Sequence, residues 1–163
     1  MAKGAKKKKG KAKAVTKTKG KAKRKGGGAK GAPKMPAKLT SGAGASPLQI
    51  GTDLVALFNA GKWDAPCKKW WSDKIESVEG DGQVWRGRKA CEGKNAWWYS
   101  MFEPLGGRAE GPYAGATGFA VKFEAHVREK ATGVETRMTE IGCYTVKGGK
   151  IVREEFWPVA AVK

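Results

Sequence analysis

One carboxylate in the last third of the chain stands where an apolar residue is expected. The segment "MTEIGCYTVKGGKIVREEFW" places Glu140 two residues after Met138 and four residues before Tyr144. Because side chains alternate between the two faces of a strand, Glu140 shares a face with residues typical of a core. A buried carboxylate without a partner costs on the order of several kcal/mol, so it raises its pKa, pairs with a cation or faces a wet cavity.

Three roles for Glu140 are compatible with this pattern. It pairs with Arg153 or accepts a hydrogen bond from an indole N–H, it anchors a ligand in an otherwise apolar pocket, or it is a general acid or base with a raised pKa. The sequence leaves all three open.

The strand before Glu140 defines which face is buried. The segment "TGFAVKFEAHVREK" alternates, with apolar residues on one face and His126 on the other. A two-residue turn at Thr132-Gly133 predicts that Ala125 lies opposite Glu140 and that the apolar face includes Glu140. Since a slip of one residue would reverse every side chain, the hydrophobic pattern places Glu140 inside.

The strand after Glu140 has two possible registers. A two-residue turn at Gly148-Gly149 predicts that Tyr144 faces Arg153 and that Glu140 faces Trp157. A three-residue connection would instead turn Val152, Glu154 and Phe156 inward.

Helical patterns precede these strands. Ser46 and Pro47 predict the start of a first helix, and Asp64 and Pro66 predict the start of a second. A third runs from Arg88 to about 103, where a proline ends it. We interpret "PLGGRAEGP" as a loop, and Trp70, Trp71 and Trp98 as packing residues. These elements predict an α+β domain in which three N-terminal helices pack in a strongly curved antiparallel sheet.

Charge divides the 163-residue chain into two parts. Of its 33 Lys and Arg residues, 16 fall in residues 1–47, which contain no Asp or Glu, so the remainder carries 17 basic and 15 acidic residues. We predict a disordered polycationic arm over residues 1–45 and a folded domain over 46–163. The arm lacks aromatic residues, so we expect sequence-independent, salt-sensitive contacts with the phosphates of DNA or RNA, an anionic membrane surface, another polyanion or no specific partner. The expected contact residues are Lys6, Lys7, Lys8, Lys9, Lys11, Lys13, Lys21, Lys23, Arg24 and Lys25.

The three cysteines, Cys67, Cys91 and Cys143, are widely spaced and form no C-x-x-C motif. No signal-peptide pattern or membrane span is present, so we expect reduced thiols in a cytoplasmic protein, with nucleoid association through the arm. No metal-binding pattern and no phosphate-binding or dinucleotide-binding motif occurs, so we expect no metal and no cofactor.

The order of five stretches resembles the SnoaL-like branch of the nuclear transport factor 2-like (NTF2-like) superfamily. The stretches are "DLVALFNAGKWD", "WWSDKIESVEGDG", "GKNAWW", "FAVKFEAHV" and "EIGCYTVKGGKIVREEFW". The resemblance covers residues 48–158. The resemblance implies a cone-shaped fold with a cavity that opens at one end, and a homodimer formed through the sheet. It also implies that Glu140 faces the cavity.

The chemistry of the superfamily transfers poorly. Its steroid isomerases use a tyrosine and two acids, whose positions fall on Leu54 and near Gly80 and Gly142. Its polyketide cyclases use an aspartate–histidine arrangement, but His126, the only histidine, is predicted to face outward. Neither activity is therefore carried over.

The sequence predicts a domain that binds a small, largely apolar molecule in its cone. An enzyme of isomerase, cyclase or hydrolase type with Glu140 as acid or base, and a dimeric interaction domain with a filled cone, are the alternatives. The predicted pocket residues are Tyr144, Phe123, Arg153, Trp157, Glu79 and Trp97, with Glu140 as the catalytic candidate.

Overall fold

The computed structural model describes residues 44–159, which form three helices and six strands. The helices are α1 (Pro47–Asn59), α2 (Ala65–Trp70) and α3 (Arg88–Met101). The strands are β1 (Trp71–Val78), β2 (Val84–Arg86), β3 (Phe102–Ala114), β4 (Gly118–Glu129), β5 (Glu135–Lys147) and β6 (Lys150–Pro158). The predicted α+β class is confirmed.

The six strands form one curved sheet in the order β2-β1-β6-β5-β4-β3. All neighbouring pairs are antiparallel except β1 and β6, which run parallel. The prediction of an entirely antiparallel sheet is therefore wrong at this pair. A parallel neighbour needs a long crossover, and α3 together with the β3–β5 meander provides it.

The first two helices begin largely as predicted. The Ser46 hydroxyl accepts a hydrogen bond from the Gln49 N–H at 3.2 Å, and the Gln49 side-chain oxygen accepts one from the Ser46 N–H at 2.8 Å. This reciprocal pair is a capping box. Asp64 makes no such side-chain cap, and Trp71 belongs to β1 rather than to α2.

The segment that we interpreted as a loop is the edge strand β3, which pairs along β4. Its glycines and prolines conceal the strand in the sequence, but an edge strand tolerates proline because one of its sides needs no ladder hydrogen bonds. Gly107 is required there, since an added Cβ would lie 2.7 Å from the Glu124 carbonyl oxygen and 2.9 Å from the Trp63 ring.

The turn between β4 and β5 is longer than predicted. Residues 130–134 connect the strands, and the Glu129 N–H donates to the Val134 carbonyl at 2.8 Å. The longer turn moves the register by two residues, so Glu140 lies opposite Phe123 rather than Ala125. Because two residues is a full period of a strand, the buried face is unchanged.

The turn between β5 and β6 has the predicted two residues, but a bulge follows it. Gly148 and Gly149 have φ values of 57° and 73°, which suit a tight hairpin turn. Val146 pairs with Ile151 and Thr145 pairs with Arg153, so Val152 is an extra residue. The bulge reverses the faces of the rest of β6.

The reversal corrects two predicted pocket residues and explains the alternative register. Arg153 and Trp157 point away from the cavity, whereas Glu154 and Phe156 point into it. The Arg153 guanidinium donates to Glu76 and to Glu155 on the outer face. Glu154 and Phe156 are inward as in the three-residue alternative, but a bulge in the strand produces this, and Ile151 rather than Val152 is the buried residue before it.

The core lies between α1, α2 and α3 and the concave face of the sheet. Its fully buried side chains include Ile50, Trp71, Ile75, Val121 and Ile151. Packing on a curved sheet leaves a cavity next to this core, lined by residues of all three helices and of β1, β4, β5 and β6.

Several predictions are not addressed by residues 44–159. The ten basic contact residues lie outside the described residues, and the homodimer stays a prediction. Among the described helices, none has the length and apolar character needed to cross a bilayer.

Candidate functional site

The concave side of the sheet encloses two adjoining chambers. The inner chamber has a volume of about 150 Å³ and the outer chamber about 630 Å³. Glu140 lines both chambers, which places it where they meet. The inner volume is comparable to that of an engineered cavity that accepts benzene.

A buried polar cluster forms one wall. Glu154 is buried, with 3% of the residue exposed, and its carboxylate accepts hydrogen bonds from the Trp71 indole at 2.9 Å and from the Ser77 hydroxyl at 2.8 Å. Lys94 Nζ lies 3.6 Å from Glu154 Oε1. Burial raises the pKa of Glu154, while Lys94, Ser77 and Trp71 oppose that rise. The cluster therefore satisfies this carboxyl from within the protein.

Lys94 is the cation of the cluster. Its ammonium donates to the Ser77 hydroxyl at 2.7 Å and to Glu79 at 2.5 Å, and it lies 5.1 Å from the centre of the Phe156 ring. Burial disfavours the ammonium, but Glu154 and Glu79 outweigh burial and raise the pKa of Lys94. Lys94 is therefore charged and fully engaged with groups of the protein.

Local structure explains how these residues meet. Cys91, Lys94, Asn95 and Trp98 lie on one face of α3, at the spacing of successive helical turns. Ser77 of β1 is the parallel neighbour of Glu154 in β6, so the two side chains share the inner face of the sheet.

Glu140 differs from Glu154 in its lack of partners. Within residues 44–159, no side chain or backbone N–H donates a hydrogen bond to its carboxylate. Burial raises the pKa of Glu140 to about 7, with further contributions from Glu79 and Glu154 and an opposing one from Lys94. Near neutral pH the carboxyl is thus present in both protonation states.

Aromatic rings form most of the remaining wall. Phe58 stacks on Trp63 with ring centres 4.6 Å apart and lies 4.9 Å from Phe123, while Trp63 lies 6.4 Å from Trp98. The rings of Tyr144 and Phe156 meet edge to face, with their centres 6.2 Å apart. Glu140 therefore stands in a largely aromatic enclosure.

Three weak acids of the inner chamber remain protonated at neutral pH. Burial raises the pKa of Tyr144 well above its ordinary value, and burial raises the pKa of Tyr99 and of Cys67 to about 12 each. These groups offer neutral O–H or S–H donors to a bound molecule.

The structure distributes the predicted site residues among three places. Phe123 and Tyr144 line the inner chamber beside Glu140, and Glu79 and the exposed Trp97 line the outer chamber. Arg153 and Trp157 lie on the opposite face of the sheet, as described above. Trp71 and Trp98 were predicted only to pack in the core, but both belong to the site. Trp71 donates a hydrogen bond to Glu154, and Trp98 lines both chambers.

Sequence reasoning missed Lys94, Asn95 and Ser77, and it placed Glu154 inside only in the alternative register. For Lys94 and Asn95 a signal was available, since both fall between Cys91 and Trp98 on a helical face that must point inward. Glu154 was hidden because the bulge at Val152 has no clear sequence signature.

His126 lies on the outer face, where Nε2 is 2.9 Å from Glu135 Oε2. It does not line either chamber. Within the part of the chain that the structure describes, no group of three or more His, Cys, Asp or Glu residues is arranged to hold a metal ion.

This architecture is that of the NTF2-like fold. An NTF2-like protein from Burkholderia thailandensis has a TM-score of 0.60 at 15% identity, with 71% of this chain and 92% of that chain covered. The model of the SnoaL-like domain matches residues 46–158, so the chain belongs to the SnoaL-like domain family.

Two further solved structures are similar. A protein from Mesorhizobium loti is described both as a candidate SnoaL-like polyketide cyclase and as a carbohydrate phosphatase. It is 38% identical, with a TM-score of 0.63 and coverage of 66% of this chain and 95% of that chain. A candidate SnoaL-like polyketide cyclase from Jannaschia is 15% identical, with a TM-score of 0.60 and coverage of 72% and 91%. No curated protein matches the sequence.

Proposed function

We propose that this domain binds a small, largely apolar organic molecule in its cone and holds one polar group of that molecule against Glu140. The contrast between two carboxyl groups carries the proposal. Glu154 is saturated by donors of the protein, whereas Glu140 faces the cavity without one. Pockets for small molecules are mostly apolar, with a few placed polar groups, and this cavity has that composition.

Binding is tested with the full-length protein. Native mass spectrometry of the purified chain reports a molecule that remains in the cone, and thermal denaturation with toluene, phenol and benzyl alcohol reports binding through a rise in melting temperature. We expect Phe123→Ala and Tyr144→Phe to change these rises. Glu124→Gln, on the outer face, is the control. The proposal fails if no retained molecule and no stabilisation is found.

A second candidate is an enzyme that transfers protons through Glu140. The observation that favours it is the pKa of about 7, which suits a general base or acid at neutral pH. The Tyr144 and Tyr99 hydroxyls would then donate to an oxygen that gains negative charge. The descriptions of the Mesorhizobium loti protein name two different activities, so neither identifies the reaction.

Proton transfer is tested by the exchange of α-hydrogens in a ketone. With phenylacetone in deuterated water, a carboxylate that removes the α-proton accelerates deuterium incorporation, which proton NMR measures. We expect acceleration by the native protein and its loss in Glu140→Gln. Acceleration that survives this substitution would exclude Glu140 as the base. If the native protein gives no acceleration, the enzyme candidate fails and only the binding role remains.

A further inference from the structure

The cavity is acidic in a chain that is strongly basic. Four carboxyl groups and one ammonium line the two chambers. The whole chain, by contrast, carries a formal net charge of +18. No arginine and no histidine is among the lining residues of either chamber. The four acids are Glu79, Asp81, Glu140 and Glu154, and the base is Lys94.

The one lining ammonium does not balance Glu140. Lys94 contacts Ser77 and Glu79 directly and lies nearest to Glu154 among the remaining carboxyl groups, at 3.6 Å. An ionised Glu140 is therefore left without a counter-ion from residues 44–159, in a place where unpaired charge is unfavourable.

The walls around Glu140 suit a cation as well. Phe123 is its direct neighbour across the sheet, and the rings of Phe58, Trp63 and Trp98 continue the same wall. The face of an aromatic ring attracts a cation, and Lys94 already lies against Phe156 in this way. Aromatic rings lining the cavity next to an unpaired carboxylate form a complementary site for an ammonium group.

From these observations we infer that the ligand is a small organic cation, with an ammonium group as the counter-ion of Glu140 and an apolar body in the inner chamber. The inference rests on the proposed function and specifies its substrate class. Glu79 and Asp81 line the outer chamber, so a cation meets negative charge on its way in. The inner chamber of about 150 Å³ accommodates a body of about the size of a benzene ring.

Three probes that share a benzyl or phenyl body separate charge from shape. Benzylamine is a cation, benzyl alcohol is neutral and benzoate is an anion at about pH 8, and isothermal titration calorimetry of the full-length protein measures each affinity. We expect benzylamine to bind about tenfold or more tightly than benzyl alcohol, and benzoate to bind most weakly.

Two matched substitutions locate the effect. Glu140→Gln keeps the shape of the side chain and removes its charge, so benzylamine should lose about tenfold in affinity while benzyl alcohol changes by less than about twofold. Glu124→Gln removes an exposed carboxylate on the outer face and should change neither. Benzylamine that retains its advantage in Glu140→Gln would contradict the assignment of Glu140 as the counter-ion.

A probe of permanent charge adds a pH test. Benzyltrimethylammonium cannot lose a proton, so any pH dependence of its affinity comes from the protein. Because a cation binds the ionised carboxylate, affinity should increase by up to about tenfold per pH unit below the pKa of Glu140, about 7, and level off above it. An affinity independent of pH between about 5 and 8 would contradict the inference. The titratable groups that face this part of the cavity are Glu79, Asp81, Lys94, Glu154, Tyr144, Tyr99 and Cys67.

The outcomes distinguish this inference from the proposed function. If benzyl alcohol binds as tightly as benzylamine, or if benzoate binds more tightly than benzylamine, the inference of a cationic ligand is wrong. The apolar cavity would then remain a binding site. If none of the probes binds to the folded protein and no molecule is retained in the cone, the proposed function and the inference both fail.

Discussion

At the scale of single residues, the site is defined by two glutamates in the same cavity wall with different surroundings. Glu154 receives hydrogen bonds from Trp71 and Ser77 and lies close to Lys94. Glu140 lies in the same cavity wall but outside the hydrogen-bond network, so its carboxyl faces the cavity without a partner from residues 44–159. In our proposal the two therefore have different roles: Glu154 holds the wall together, and Glu140 presents its charge to the bound molecule.

The raised pKa of Glu140 predicts a cost in stability at neutral and alkaline pH. A carboxyl whose folded pKa is raised from 4.5 to about 7 contributes stability below the lower value and loses it as the pH rises through the higher one. Glu140→Gln removes this loss. Relative to the native protein, its free energy of unfolding should be higher by up to roughly 3 kcal/mol at about pH 8 and nearly unchanged at about pH 4.

Melting temperatures of the two proteins across this pH range measure the difference. Glu124→Gln, whose carboxylate is exposed, is the control and should show no such pH-dependent gain. A native protein that is as stable as Glu140→Gln at alkaline pH would show that Glu140 has an ordinary pKa.

Removal of Lys94 should be strongly destabilising. Lys94→Met leaves Glu79 and the buried Glu154 without their cation, and loss of one partner of a buried pair costs about 3–5 kcal/mol. Lys89→Met, an exposed position on the same helix, should change the free energy of unfolding by less than about 0.5 kcal/mol.

Urea denaturation of both variants checks this expectation, and a double variant identifies the cause. Addition of Glu154→Gln to Lys94→Met removes the orphaned charge and should recover part of the stability. Equal losses in the single and double variants would show that lost packing, and not unpaired charge, is responsible.

At the scale of elements, periodicity predicted the helices and the buried face of the central strands. The alternating apolar residues of β4 exclude a register shift of one residue, because such a shift would expose them all. Glu140 was therefore placed on the correct inner face, although the longer turn changes its partner from Ala125 to Phe123. The starts of α1 and α2 followed from a capping serine and from prolines.

Features without a local signal could not be predicted. The bulge at Val152 depends on tertiary packing of Ile151 and Glu154, and nothing in "GGKIVREEFW" favours it over a regular strand. Strand β3 contains glycines and prolines that local propensity assigns to a loop, and only its pairing with β4 makes it a strand. The place of Glu154 beside Lys94 follows from that bulge, so this part of the cluster had no local signal.

Two helical glycines should respond in opposite ways to alanine. Gly93 is exposed in α3, and a Cβ there would meet no atom within 4 Å, so Gly93→Ala should stabilise the protein by about 0.5–1 kcal/mol. Gly51 is buried in α1, where a Cβ would lie 2.6 Å from Pro112 Cβ and 3.0 Å from the Phe119 ring. Gly51→Ala should therefore destabilise it by about 1–3 kcal/mol.

Thermal and urea denaturation measure both changes, and each variant is the control for the other. A loss of stability in Gly93→Ala would show that the exposed face of α3 is covered in solution. An unchanged stability in Gly51→Ala would show that α1 is less tightly packed on β3 and β4 than the structure has it.

At the scale of the whole molecule, a nearly neutral domain is attached to a segment with 16 basic and no acidic residues. Residues 44–159 form a core with its own helix caps and sheet, and Gly44 and Ala45 lie against Gly149 of the β5–β6 turn. We have proposed that the cone binds a small molecule, and the sequence predicts that the basic segment attaches the protein to a polyanion.

Deletion of residues 1–43 should separate these two properties. Because the deletion spares the contacts of Gly44 and Ala45, we expect a melting temperature within about 2 °C of the full-length value and unchanged binding of benzylamine. We also expect binding to random-sequence duplex DNA to be lost, since the deleted segment carries 16 of the 33 basic residues of the chain.

The salt dependence of DNA binding by the full-length protein identifies the kind of contact. If lysines contact phosphates, the logarithm of the association constant falls linearly with the logarithm of salt concentration, by about 0.9 for each phosphate contacted. Replacement of the four lysines Lys6–Lys9 with glutamine should therefore reduce the slope by up to about 3.6, with little dependence on DNA sequence. Binding that persists in the truncated protein would place the DNA contact on the folded domain. Binding that is insensitive to salt would show that lysine–phosphate contacts do not carry it. Either result would overturn the division of roles.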